Sequence, residues 1–64
     1  MIILTDIQRA QLIKYIPNFD ENGEVNDLLL ALDDVMLDSL DENDERTDET
    51  IIIAKLYDQI YTQN

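Results

Sequence analysis

Residues 25–40 read VNDLLLALDDVMLDSL, and their apolar side chains recur at every third or fourth position. This spacing places them on one side of an α-helix, because consecutive residues turn by about 100° around the helix axis. The apolar stripe comprises Val25, Leu28, Leu29, Leu32, Val35, Met36 and Leu40, and the opposite side carries Asp27, Asp34, Asp38 and Asp41. The stretch therefore predicts an amphipathic helix over residues 24–40.

Leu30 and Leu37 lie off this stripe, two helical turns apart on the same side. A helix that is apolar in two directions is typical of the middle helix of a bundle, so the sequence favours cover of both leucines within the chain. The alternative is an interface between two copies, that is, a homodimer or larger assembly. Tyr57 and Tyr61, one turn apart, are the other candidates for an apolar interface, although their spacing also suits the edge of the core.

Upstream, Thr5 to Gln8 fit a capping box, in which the Thr hydroxyl and the Gln side chain each bond the other residue's backbone. A helix is predicted over residues 5–16, ending before Pro17. Its apolar residues spread widely around the axis, which favours burial on more than one side or an uneven first turn. They are Ile7, Ala10, Leu12, Ile13 and Ile16.

Downstream, a third helix is predicted over residues 47–62, with Asp48 and Glu49 in the first turn, where the helix dipole favours negative charge. Its apolar stripe is Ile52, Ile53, Leu56, Tyr57, Ile60 and Tyr61. Three helices in 64 residues predict an all-α fold, a compact three-helix bundle forming a single small domain.

The composition argues against several classes of function. The chain has no cysteine and no histidine, so it has no disulfide, no Cys/His zinc site and neither the commonest general base nor the best nucleophile. We therefore expect a non-enzymatic protein that needs no cofactor. Neither a basic N-terminal region nor an apolar run of membrane-spanning length is present, so a cytoplasmic location is expected.

Negative charge is the other prominent feature of the sequence. Nine of the fifteen acidic residues fall within DDVMLDSLDENDERTDE (residues 33–49), opposed there by Arg46 alone, and the formal net charge is −11. Such a surface repels nucleic acid and anionic membranes and attracts basic proteins. The sequence predicts that a basic protein surface is the partner. The candidate contact residues are Asp34, Asp38, Asp41, Glu42, Asp44, Glu45, Asp48 and Glu49.

In size and charge the chain is similar to the short, acidic, helical regulators and inhibitors carried by phages and other mobile elements. That resemblance implies a regulator or inhibitor. The acidic face itself makes a nucleic-acid-binding protein one candidate target, because the face would occupy its DNA site by presenting carboxylates in place of phosphates.

The segment NFDENGEVNDLL (residues 18–29) resembles the calcium loop of EF-hand proteins. Loop positions one, three and five carry oxygen-bearing side chains: Asn18, Asp20 and Asn22. Gly23 stands at position six, but Leu29 replaces the bidentate Glu of position twelve, so we expect millimolar affinity or none. The alternative is a simple turn, in which Asn22 or Gly23 adopts a positive φ angle and an Asn or Asp caps the next helix.

Overall fold

A computed structural model, which describes all 64 residues, contains three α-helices and no strand. The helices are α1 (Asp6–Tyr15), α2 (Val25–Asp38) and α3 (Asp48–Gln63). The predicted all-α fold of three helices is confirmed, and each helix begins and ends within two residues of its predicted limits.

The hydrophobic core lies mainly between α2 and α3, which form the principal helix–helix contact. The buried apolar residues are Ile2, Leu12, Leu28, Leu29, Leu32, Ile53, Leu56 and Ile60. The predicted stripe of α2 is confirmed, since its three central leucines are buried and Val25, Val35 and Met36 pack against them. On α3, Ile52 and Tyr61 lie at the exposed margins of the predicted stripe.

The helix starts differ in how their free backbone N–H groups are satisfied. The capping box predicted at Thr5 and Gln8 is present, and a second box joins Thr47 and Thr50 at the start of α3. Glu24 caps α2 without a side-chain hydrogen bond, so the prediction that an Asn or Asp caps this helix was wrong. The start of α2 is therefore held chiefly by packing of its leucines rather than by a cap.

Gln8 joins α1 to the end of α3 through a buried amide that makes every hydrogen bond available to it. Its Nε2 donates to Oε1 of Gln59 (3.1 Å) and to Oε1 of Gln63 (2.8 Å). Its Oε1 accepts from the backbone N–H of Thr5 (3.0 Å) and from Nε2 of Gln63 (2.9 Å). With Gln8 only 5% exposed, this network fixes which side of α1 faces the core.

The orientation of α1 leaves apolar residues on the outside. Gln8 and Leu12 face inward, whereas Ile7 is 74% and Ile13 is 53% exposed, so the predicted burial of α1 on more than one side was wrong. Leu30 and Leu37 of α2 are likewise 66% and 61% exposed. The expectation that the chain itself covers these two leucines was also wrong, because the core forms on the other side of α2, where Leu28, Leu29 and Leu32 meet residues of α1 and α3.

A cluster of hydroxyl groups fastens the end of α2 to the start of α3. The Ser39 and Thr50 hydroxyl oxygens lie 2.7 Å apart, and the Thr47 hydroxyl donates to the Ser39 carbonyl oxygen (2.8 Å). Thr50 is buried, and its hydroxyl oxygen also accepts from the Thr47 backbone N–H (3.0 Å). The short connection between these helices is therefore anchored at both ends.

We predict that Leu32→Ala lowers the free energy of unfolding by about 2–5 kcal/mol, because it opens a cavity where Leu32 is completely buried. Leu37→Ala, the same change on the exposed side of α2, should cost less than about 1 kcal/mol. Urea denaturation of both variants measures the difference. Equal losses would contradict the assignment of the two sides of α2.

We predict that Gln8→Ala costs roughly 1–3 kcal/mol of unfolding free energy, because the capping box and the amide contacts with α3 are lost together. Gln11→Ala, one turn along α1 at a residue without side-chain hydrogen bonds, should change stability by no more than about 0.5 kcal/mol. Denaturation curves for the two single variants provide the test, and similar costs would exclude a special role for Gln8.

Candidate protein-binding surface

The outer side of α2 combines exposed leucines with carboxylates. Five residues on this side each lie three or four positions from another of the set, so they form a continuous strip along the helix: Leu30, Asp33, Asp34, Leu37 and Asp38. All five are exposed. We call these five residues the acidic–leucine face. It brings together residues that the sequence assigned to separate hypotheses, an acidic docking site and an apolar interface.

A shallow groove between α2 and α3 borders this face. Its lining residues are Asn26, Leu29, Leu30, Asp33, Tyr57 and Tyr61. Tyr57 packs against the core while Tyr61 is exposed, so one tyrosine forms the groove's wall and the other its rim. The groove continues past Val25 toward Asn64. Three of the four predicted interface residues, Leu30, Tyr57 and Tyr61, therefore meet in one groove, and Leu37 lies two turns further along α2.

The acidic residues after α2 form an ordered turn. Oδ1 of Asp41 accepts from the backbone N–H groups of Asn43 (2.8 Å) and Glu45 (3.0 Å), and the Asp41 N–H donates to the Glu45 carbonyl (2.9 Å). Asp44 has a φ angle of 59°, in the left-handed region that Asp tolerates better than most residues. We call residues 41–45 the acidic turn. It leaves the carboxylates of Glu42, Asp44 and Glu45 exposed to solvent.

Few of these carboxylates have a cationic neighbour. The structure contains three ion pairs: Arg9–Asp6, Arg9–Glu21 and Lys14–Glu49. Of the eight predicted acidic contact residues, Glu49 alone takes part in one, and it also accepts a hydrogen bond from the Tyr15 hydroxyl. Arg46 and Lys55 form no ion pair. The negative charge of the acidic–leucine face and the acidic turn is therefore not neutralised within the molecule.

The calcium-like loop is held as a turn by hydrogen bonds within the loop, from both the side chain and the backbone of Asp20. Oδ1 of Asp20 accepts from the Asn22 N–H (3.0 Å), and the Asp20 carbonyl accepts from the Gly23 N–H (3.1 Å). Neither Asn22 nor Gly23 has a positive φ angle, so that detail of the turn prediction was wrong. No group of three or more acidic side chains comes together at a metal-binding distance. The weak candidates Asn18, Asp20 and Asn22 therefore do not form part of such a group.

The ion pairs of Arg9 shift the pKa values of Arg9 and of Glu21, which lies in the loop after α1. Glu21 accepts from Nε of Arg9 at 2.7 Å and from Nη2 at 3.1 Å. This fork lowers the pKa of Glu21 and raises that of Arg9. The same Arg9 bonds Asp6 (2.9 Å). Through Glu21 the arginine ties the loop after α1 to the helix, and neither of its partners belongs to the acidic–leucine face or the acidic turn.

Comparison with known protein families, with curated proteins and with solved structures finds no match to this chain. None of the helices has the length and apolar composition that crossing a bilayer requires.

Sequence reasoning omitted Asp33 from the candidate contacts and missed the groove that it borders. The helical spacing from Leu30 to Asp33 and Leu37 was a usable signal for the acidic–leucine face. The groove had no local signal, because Asn26 and Leu29 come from α2 and the tyrosines from α3. Packing of the two helices was needed to bring them together.

We predict that Glu49→Gln lowers the pKa of Tyr15. The hydrogen bond to Glu49, with partial burial and the nearby charge, raises the pKa of Tyr15 to about 12 from an ordinary value near 10. Because the neutral phenol is favoured in the folded state, this contact stabilises the fold below about pH 10 and is lost as the pH rises through about 12. Ultraviolet titration, with Tyr15→Phe to identify the signal, measures the shift. An unchanged Tyr15 transition in Glu49→Gln would contradict the contact.

Proposed function

We propose that this protein is a non-enzymatic binding protein that docks on a basic protein surface through the acidic–leucine face and the acidic turn. The observation that carries the proposal is the presence of two exposed leucines within a strip of carboxylates that have no cationic neighbour. Isolated surface leucines are common, but leucines aligned on one helix face beside an apolar groove are typical of protein-binding surfaces.

The two kinds of residue have different roles in such a contact. The leucines and Tyr61 provide apolar area that leaves water on binding and so supply affinity. The carboxylates raise the rate of encounter with a positively charged partner and disfavour anionic ones. The partner that fits is therefore a basic surface with apolar side chains spaced to meet Leu30 and Leu37, which are about 10 Å apart along the helix.

A nucleic-acid-binding protein is the partner class that we favour. Its nucleic-acid site is rich in Lys and Arg, and such a site binds anions that present charge at regular intervals. This chain presents an extended series of exposed carboxylates: Asp34 and Asp38 on α2, those of Asp41 to Glu45 in the turn, and Asp48 on α3. We infer a regulator or inhibitor that competes with the nucleic acid, of the kind that phages and mobile elements carry.

Self-association through Leu30 and Leu37 is the weaker alternative. Two copies of the acidic–leucine face placed together would bring Asp33, Asp34 and Asp38 of each against those of the other, with no cation available to pair them. Burying like charges against one another opposes association. A basic partner removes that cost.

The test of the docking proposal compares two variants of equal charge. One replaces Asp41, Glu42, Asp44 and Glu45 by Asn or Gln, which keep the turn because Asn retains the Oδ1 acceptor and tolerates the φ angle at position 44. The control replaces Asp20, Glu24, Asp27 and Asp58 in the same way, so that removing four negative charges takes the net charge from −11 to −7 in both. Affinity capture from the native cell, then association kinetics with the captured protein, compares them.

We expect the turn variant to associate at least several-fold more slowly than the control at low salt and to show a flatter salt dependence, because its charges lie beside the contact. Both variants should remain folded by circular dichroism. Identical capture and kinetics for the two variants would leave the acidic turn as a feature of solubility alone and would exclude the proposal.

A further inference from the structure

The outer side of α1 is a second exposed apolar surface, distinct from the acidic–leucine face. Ile7, Ala10 and Ile13 are spaced by three residues, and all are exposed. We call Ile7, Ala10 and Ile13 the isoleucine face. No residue of the chain covers it, because Gln8 and Leu12 direct the opposite side of α1 into the core.

The charges on this side of α1 differ from those on α2. Asp6 and Lys14 flank the isoleucine face at its two ends, and each lies beside an oppositely charged side chain, Arg9 and Glu49 respectively, so the charges here balance. Arg9 is turned toward Glu21. On a molecule of net charge −11, this is a place where two copies can meet without bringing unpaired carboxylates together. The outer side of α3 is also nearly neutral, but its Ile51 and Ile52 are less exposed than Ile7 and Ile13.

The spacing of the charged and apolar residues is symmetrical about Ala10. Ile7 and Ile13 lie three residues before and after it, and Asp6 and Lys14 lie four residues before and after it. If two α1 helices pack antiparallel with their Ala10 residues facing, Ile7 of one copy comes level with the partner's Ile13. In the same arrangement Asp6 comes level with the partner's Lys14. The small Ala10 allows the axes to approach to roughly 8–10 Å.

We propose that two copies of this chain associate through the isoleucine face, with their α1 helices antiparallel and two Asp6–Lys14 ion pairs formed between the copies. Both charged groups are accessible for such contacts, although each already has one partner within the chain. The Asp6 side chain is fully exposed and uses one oxygen for Arg9, and the Lys14 ammonium lies 3.8 Å from Glu49 with its side chain 67% exposed. This inference does not depend on the proposed function, because it uses a different helix.

The contact is small, so the association is weak. The ten residues of α1 span about 15 Å, and a pair of helices of this length buries less than the roughly 1,200 Å² typical of stable complexes. We expect a dissociation constant in the micromolar range or weaker. The dimer would display two acidic–leucine faces on separate sides, which would strengthen binding to a partner that carries two basic sites.

The first experiment uses sedimentation velocity from about 10 µM to about 1 mM at physiological ionic strength, where the Debye length is about 8 Å. Wild type should shift toward the dimer as concentration rises. The double variant that carries Ile7→Gln and Ile13→Gln should remain monomeric over the same concentrations. The matched control, Leu30→Gln with Leu37→Gln, removes two leucines of similar exposure and should dimerise like wild type. A wild type that is monomeric throughout, or an Ile7/Ile13 variant that dimerises normally, would overturn the inference.

The second experiment tests the antiparallel register by exchanging charges. Asp6→Lys alone and Lys14→Glu alone should each weaken self-association several-fold, because both place like charges at both ends of the contact. An equimolar mixture should form a heterodimer about as well as wild type, since each end then pairs opposite charges. Circular dichroism confirms that both variants are folded. Failure of the mixture to associate more strongly than either variant alone would exclude this arrangement, whatever the outcome for partner binding.

Discussion

The buried amide of Gln8 is the constraint on which the arrangement of this small bundle depends. It bonds the backbone at Thr5 and the side chains of Gln59 and Gln63, so it connects the start of α1 to the end of α3. A buried polar group that loses its partners is costly, and α1 cannot rotate without breaking all of these bonds at once. Ile7 and Ile13 therefore remain outside, although burying them would otherwise be favourable.

Polar contacts also determine where the negative charge is presented. The hydroxyl groups of Ser39, Thr47 and Thr50 hold the end of α2 against the start of α3, and Asp41 closes the turn between them. The carboxylates of this region consequently stand on a fixed frame instead of a loose tail. Because few of them have a basic neighbour, they repel one another, and binding of the proposed basic partner would reduce that repulsion. The carboxylates on which the docking proposal rests therefore work against the stability of the free protein.

The two exposed surfaces suggest a division of roles within 64 residues. In our proposals, the acidic–leucine face on α2 meets a different protein and the isoleucine face on α1 meets a second copy. Charge distinguishes the two cases, because contact between two like-charged surfaces is disfavoured, whereas the charges beside the isoleucine face are balanced in sign. A chain this short has a small surface and a small core. A binding partner for each of the two faces would account for the leucines of α2 and the isoleucines of α1 that lie outside the core.

The sequence by itself determined the elements of the fold. The leucine spacing of α2, the capping box at Thr5 and the acidic first turn of α3 act between neighbouring residues, so they can be read without the tertiary structure. It did not determine which apolar side of α1 or α2 would be covered. That choice was made by contacts between residues far apart in the chain, such as Gln8 with Gln63. The groove beside Leu30 could not be predicted for the same reason. It forms because the packing of α2 on α3 places Tyr57 and Tyr61 next to Leu30.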